Sequence, residues 1–411
     1  MDQRTTLNNV WIKRMAGLAL AFFLLYRAII FYWKAFHGFA WDYSVNWTAA
    51  VAWREGISLY DRTALHQLAL STIGDSARAL FNGRFTAYVG LPSTAFFHLP
   101  FSFLSYDRSV VIYRIAATAA MVLTIYITGL SLPTALRWRA WITGALCLLC
   151  WHAFVFSVSL GQVDAWVMLS LALTIFFISR SAWKRAGAAL AVAVLLKISP
   201  VWLLLYCVLQ RQWTLVLSAS ACLLLGLLLC WLPQHGADLQ QFVTVVLPSL
   251  GDSPLHVQNQ SLGAFFARLA SPSPHLLRFD VGIGAWKMAA VSVAAVLLLC
   301  AWRTTRQRDI AVDKAALMVL VALLAGPLTG GHYLSWAVIP VMLFAAALQP
   351  RQWLLLFLLL LPLAFPVPYI KADAVAEYAG WRILTSAQIL VLLLLAMWMA
   401  CGSGIRKKWQ K

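Results

Sequence analysis

The chain has 411 residues, of which 62% are hydrophobic and 11% charged, with 32 Lys and Arg against 14 Asp and Glu. Soluble domains carry about 25% charged residues, so this composition excludes an ordinary water-soluble domain and calls for a bilayer as solvent. The formal charge of +18 is not of the nucleic-acid-binding kind. Its cations fall in short clusters between apolar runs: Arg137 and Arg139; Arg180, Lys184 and Arg185; Arg303, Arg306 and Arg308; Arg406, Lys407 and Lys408. That is the positive-inside pattern, in which cationic loops stay cytoplasmic.

Lys13 and Arg14 precede the first apolar run, Met15 to Trp33. No small-residue cleavage site follows, so the run is expected to be a permanent helix with its N-terminus inside. Arg27 within it is expected to face protein, because a lipid-facing Arg is costly. Residues 34–88 then form a first large extracytoplasmic loop. The apolar piece from Leu91 to Leu104 contains Pro92 and Pro100; it fits a short span or a segment lying at the interface.

Further helices are expected at about 110–130, 140–159, 164–179, 215–232, 283–302, 315–328, 333–348, 353–366 and 381–401. Between Gly187 and Gln210 the pattern differs. Basic groups flank both ends, and Lys197-Ile198-Ser199-Pro200 interrupts the middle. One span puts one cationic flank outside. The favoured reading is two half-length helices, up and back, which keep both flanks inside and bring Lys197 to the outer side, an arrangement tolerated where backbone lines a cavity or is buried in protein. With that hairpin, and with Leu91–Leu104 not crossing, the total is roughly twelve transmembrane helices in one all-α polytopic domain spanning 1–411, with a second large outer loop at 233–282. Cys147 and Cys150 have CxxC spacing but sit in an apolar run without partner ligands, which fits free buried thiols.

Chemistry is therefore expected at the outer helix ends. Asp42, in Phe39-Ala40-Trp41-Asp42-Tyr43, stands among aromatics that mark an interface. Partial desolvation there raises a carboxylate's pKa and suits a general base; the same position also fits a solvated acid or a helix N-cap. Lys197 interrupts an apolar run, so it fits a cation facing a phosphate or a side chain snorkelling to the interface. His332, in Thr329-Gly330-Gly331-His332-Tyr333, could share a proton with a carboxylate or serve as a core histidine. Gln162 and Asp164, after Gly161, occupy another outer helix junction, as do Asn259, Gln260 and Ser261. Their neutral polar groups are of the kind that bind sugar hydroxyls.

Several of these segments together resemble glycosyltransferase family 87. They are Asp42-Tyr43-Ser44-Val45-Asn46-Trp47-Thr48-Ala49-Ala50, then Gly56-Ile57-Ser58-Leu59-Tyr60-Asp61, Gly161-Gln162-Val163, Leu196-Lys197-Ile198-Ser199-Pro200 and Asn259-Gln260-Ser261-Leu262, followed by Gly331-His332-Tyr333-Leu334-Ser335-Trp336. Where the family usually has a Tyr-x-Pro-Pro-like start to its second hydrophobic segment, this chain reads Val89-Gly90-Leu91-Pro92-Ser93.

The resemblance implies a GT-C fold and an inverting, polyprenyl-phosphate-sugar-dependent transferase of the inner (plasma) membrane, active on its extracytoplasmic side. Mannose is the implied sugar, and a glycolipid or polysaccharide the acceptor. It implies Asp42 as catalytic base, His332 as its partner and Lys197 as a contact for the lipid phosphate. Gln162, Asn259, Gln260, Ser261 and Tyr60 are the implied substrate-binding residues. No cofactor is expected, since a monophosphate leaving group needs less charge neutralisation than a nucleotide diphosphate and no Asp-x-Asp motif is present. A lipid or solute transporter also fits a broken helix carrying a lysine, and an inactive scaffold of an envelope assembly is a third reading.

Overall fold

The computed structural model describes residues 3–74, 88–231, 236–250, 259–270, 291–299, 312–326, 328–365 and 386–401. Parts of the second expected loop, Cys300, the Arg303–Arg308 cluster and the Arg406–Lys408 cluster lie outside them, as do the side chains of Lys13, Arg14 and Cys401. The described residues form helices joined by turns, with a single β-bridge between Asn259 and Gly330.

Helix α1 (Gln3–His37) stops at Gly38, and the chain bends into α2 (Trp41–Glu55) and α3 (Arg62–Ile73). α2 ends because Gly56 adopts φ 70°, a left-handed cap open to glycine. α3 begins because the Asp61 carboxylate accepts from the Thr63 and Ala64 amides at 3.0 Å each. The first outer segment is therefore helical, and most of α2 is buried. Leu91–Leu104 resolves into α4 (Pro92–His98) and a 3₁₀ turn (Leu99–Phe103). At about 1.5 and 2.0 Å per residue these twelve residues are too short to cross a bilayer core of about 30 Å.

Then come α5 (Tyr106–Leu130), α6 (Thr134–Cys150) and α7 (His152–Leu160), the last two bent by 60° at Trp151. α8 (Asp164–Ser179), α9 (Trp183–Leu196), α10 (Val201–Leu209) and α11 (Trp213–Cys230) follow. The up-and-back expectation for Lys197 can be read from glycine contacts. Gly187 lies against Leu215 and Ser218, and Gly226 against Leu195. α9 and α11 therefore run parallel, and α10 must return the chain between them.

Beyond the short helix α12 (Gly236–Gln241) lie α13 (Leu262–Ala270), α14 (Val312–Ala325), α15 (Val338–Ala347), α16 (Pro350–Leu360) and α17 (Ala387–Cys401). α15 is buried along its whole length and α14 almost so, as befits helices apolar on every side at the centre of a bundle. In contrast, α1 exposes Leu18, Phe22, Phe23, Ile29 and Trp33, a continuous apolar face suited to lipid. Arg27 turns inward from that face: its guanidinium donates to the Ala364 carbonyl and lies over the Phe31 and Phe365 rings.

Among the described residues, three helical stretches are long and apolar enough to span: 17–55, 106–130 and 213–230. The bent pair α6–α7 makes a fourth if counted as one span. The first covers more than one bilayer thickness and breaks at Gly38, so α1 is its spanning part. α8, α16, α17 and the 331–347 segment are apolar but shorter. The chain is an all-α membrane protein; the twelve-span layout goes beyond what these helices establish.

One asymmetry matters for the site. Asp164 begins α8 and bonds to Lys197 at the end of α9, so the opposite ends of these helices carry Arg180, Lys184 and Arg185. Arg139 reaches the Leu348 carbonyl beyond α15, at that same far end. Among the described residues, Arg139 and the Arg180–Arg185 cluster thus lie at the opposite end of the bundle from Asp164.

Candidate active site

At the other end of the bundle, a cavity of about 240 Å³ opens between α2, α4, the turn after α9, and the segments 242–250 and 325–333. Asp42, Asn46, Gln162, Lys197, Ser199 and Tyr333 supply its polar wall, while Leu196, Trp202, Phe242, Leu247 and Leu250 supply an apolar one. A polar pocket running into an apolar wall can take a ligand with a hydrophilic head and a hydrocarbon tail.

Each polar group is set in place by local structure. Asp42 lies in the first turn of α2, where a carboxylate meets the positive helix end. Its Oδ2 accepts from Gln162 Nε2 at 2.6 Å. Gln162 is aimed by Gly161, which closes α7 at φ 69° and ψ 44° and packs so closely that a Cβ there would come within 2.4 Å of the Tyr43 Cβ. The Tyr113 hydroxyl donates to the Gln162 carbonyl at 3.0 Å. Beneath both strands of this loop pair, Arg114 donates to the carbonyls of Phe36, Gly38 and Ser159 at 2.7, 2.6 and 2.9 Å, satisfying exposed ends of α1 and α7. Burial raises the Asp42 carboxyl above the usual carboxylate range, against the lowering pull of the Gln162 hydrogen bond and of Lys197.

Lys197 leaves α9 in an extended conformation. Its Nζ lies 2.8 Å from Asp164 Oδ1 and 3.2 Å from the centre of the Tyr333 ring. Asp164 is wholly buried. Its Oδ1 also accepts from Trp336 Nε1 at 2.9 Å, and its Oδ2 lies 3.2 Å from His332 Nδ1. His332 was expected beside Asp42; the carboxylate it meets is Asp164. The 3₁₀ turn Gly331–Ala337 puts His332, Tyr333 and Trp336 on the site, with Tyr333 stacked on Trp336 at 5.5 Å.

The remaining expected residues stand behind the cavity. Tyr60 donates its hydroxyl to the Gly90 carbonyl at 2.7 Å and so braces the rim rather than lining it. Asn259 Oδ1 accepts from the Ser261 and Thr329 amides, and the Gln260 amide donates to the Thr329 carbonyl at 2.6 Å. Ser261 Oγ accepts from the Ala264 amide at the start of α13. Asn259, Gln260 and Ser261 thereby tether the strand of chain that carries His332, and none lines the cavity. Tyr333 and Trp336 are site members to which sequence reasoning assigned no role. The one signal for them was an aromatic pair three residues apart beside a histidine.

The helical membrane bundle thus places a carboxylate and a lysine on one cavity whose polar and apolar walls fit a molecule with a hydrophilic head and a hydrocarbon tail. A family model, glycosyltransferase family 87, matches residues 88–327, more than half of the chain, and the chain belongs to that family. Gln162, Asp164, Lys197 and Asn259–Ser261 lie within the matched region, whereas Asp42 and His332 lie outside it.

Two relatives from Mycolicibacterium smegmatis are similar. A polyprenol-phosphate-mannose-dependent alpha-(1-2)-phosphatidylinositol pentamannoside mannosyltransferase is 26% identical over 59% of this chain and 60% of its own length. A polyprenol-phosphate-mannose-dependent alpha-(1-2)-phosphatidylinositol mannoside mannosyltransferase is 24% identical over 65% and 61%. The matched region thus spans about 60% of these relatives. No solved structure matches the chain.

Proposed function

We propose that the protein is an inverting glycosyltransferase that moves a sugar, mannose in the first instance, from a polyprenyl monophosphate to a hydroxyl of a glycolipid or polysaccharide. The observation that carries this is the shared cavity: the Asp42 carboxylate and the Lys197 ammonium face one space, with an apolar wall leading away. The family and the relatives' names support the donor class.

In this reading the acceptor hydroxyl gives its proton to Asp42 as its oxygen attacks the anomeric carbon. The bond from that carbon to the phosphate oxygen breaks, and the electron pair leaves with the polyprenyl phosphate. Lys197 faces the departing charge, which is where electrostatic stabilisation lowers a barrier most. Gln162 holds one oxygen of Asp42, leaving the other for the acceptor. His332 acts at one remove, through Asp164. Asn259, Gln260, Ser261 and Tyr60 act by holding the cavity's walls, and Asn46, one turn from Asp42, is the nearer candidate for a sugar hydroxyl. Charge asymmetry supports an extracytoplasmic site: Arg139, Arg180, Lys184 and Arg185 lie at the opposite end of the bundle, and cationic ends stay cytoplasmic.

The test is sugar transfer by the purified protein from polyprenyl-phosphate mannose, with native membrane lipid extracts as acceptor and Asp42→Asn run alongside. Transfer by the wild type that falls at least about a hundredfold in the variant, the usual range for losing a general base, supports both the class and the base. Equal transfer by both removes Asp42 from that role, and absence of transfer by the wild type with this donor refutes the mannose assignment.

A further inference from the structure

Two carboxylates and one lysine meet at the cavity, and the lysine is committed to one of them. Lys197 Nζ sits 2.8 Å from Asp164 Oδ1, while Asp42 Oδ2 takes the neutral amide of Gln162 at 2.6 Å. Lysine has a flexible four-carbon stem and three donors, so nothing in its own chemistry dictates this choice. The surroundings of Asp164 do. Trp336 Nε1 at 2.9 Å shares the same oxygen, and the Tyr333 ring lies 3.2 Å under the ammonium. Asp164 is wholly enclosed, which strengthens its attraction for a cation over that of a carboxylate facing an open cavity.

We propose that Asp164 is a positioning residue: by holding the Lys197 ammonium on its own carboxylate, it keeps that cation from closing an ion pair with Asp42 and leaves Asp42 free to take the acceptor's proton. The inference rests on the reading of Asp42 as base. An Asp42–Lys197 ion pair would stabilise the carboxylate, make it a weaker base, and fill the space the acceptor hydroxyl needs. Asp164 prevents this without touching the reacting atoms.

The groups that bear on Asp42's titration come from several elements. Lys197 follows α9, Asp164 heads α8, His332 and Tyr333 belong to the 331–337 turn, and Tyr88 stands at the cavity rim. On the helices packed about α2, α4 carries His98, α3 carries Arg62 and His66, α7 carries His152, and α5 carries Tyr106, Asp107, Arg108, Tyr113 and Arg114. Of these, Lys197 is the cation sharing the cavity wall with Asp42.

Infrared titration of the purified full chain follows the C=O band of protonated Asp42, assigned by its loss in Asp42→Asn. In Asp164→Asn, which keeps an acceptor for Trp336, Lys197 turns to Asp42 and the band's midpoint falls by about one pH unit or more. Asp164→Ser is read in parallel, so that a misfolded Asn variant does not end the experiment. The same replacement is repeated with Lys197→Met already present. There the midpoint moves by less than about a third of the first shift, because there is no cation left to redirect.

An unchanged or raised midpoint in Asp164→Asn overturns the proposal. So does an equal fall with and without Lys197, which would make Asp164 a plain repelling charge. Transfer from polyprenyl-phosphate mannose is measured on the same samples. A lysine-dependent band shift in the variants beside a wild type that transfers no mannose refutes the mannose assignment and leaves the positioning of Lys197 standing.

Discussion

Gly161→Ala is a single-methyl test of how the two halves of the site are joined. Gly161 has φ 69°, and an L-residue in that left-handed region costs about 1–2 kcal/mol. Its new Cβ would also fall 2.4 Å from the Cβ of Tyr43. That atom is fixed to the backbone of α2 and cannot swing aside as the tip of a side chain could, so α7, α2 or both must move, at about 1–3 kcal/mol for an overpacked contact. The sum is about 2–5 kcal/mol. Tyr43 adjoins Asp42, and Gly161 adjoins Gln162, so the displacement falls on the 2.6 Å bond between them. Even the lower end, spent on that geometry, lowers turnover about thirtyfold at 1.4 kcal/mol per factor of ten. The assay pairs a thermal melt in detergent with sugar transfer. Gly161→Asn is the control: asparagine tolerates the left-handed region but keeps the clash, so it should recover part of the stability and little of the activity. A Gly161→Ala protein with wild-type melting temperature and wild-type transfer would refute the reasoning.

Gln162→Leu removes the hydrogen bond that favours the charged form of Asp42. Asp42 should therefore hold its proton to higher pH, so the acid limb of the pH–rate profile should move upward while the maximum rate falls about tenfold or more; a profile unmoved on the pH axis would contradict the bond's role. Arg114→Lys should destabilise the fold severely, since a single ammonium nitrogen cannot occupy the two positions from which the guanidinium's two terminal nitrogens reach the carbonyls of Phe36, Gly38 and Ser159, and charged hydrogen bonds are worth about 1.5–3 kcal/mol each. A wild-type melt for this variant would show that those carbonyls find other donors.

Much of the fold is legible without coordinates because the bilayer imposes it. Long apolar helices follow from the need to satisfy backbone groups in hydrocarbon, and a lone Arg27 had to face protein. The break at Lys197–Pro200 was likewise readable, since basic flanks on both sides of a short apolar run leave no other way to keep them together. Lengths were less legible. α2 and α3 occupy what looked like a loop, because amphiphilic helices buried at one end of a bundle lack the uninterrupted apolar signal of a span. Leu91–Leu104 owes its place to tertiary contacts that no local pattern encodes: Ser93 and Thr94 donate to the carbonyls of Leu195 and Leu196 at the end of α9.

The sequence by itself determined which residues could carry chemistry, since an acid, a lysine and a histidine standing at apolar helix ends are expensive unless used or paired. Tertiary structure alone decided who pairs with whom. Asp42, Asp164, Lys197 and His332 are separated by as many as 290 positions, and nothing local says which carboxylate receives the lysine. That choice falls to Asp164 because Trp336, Tyr333 and His332 converge on it from a segment far along the chain. It leaves Asp42 with a neutral amide, at the wall of a cavity assembled from both halves of the chain.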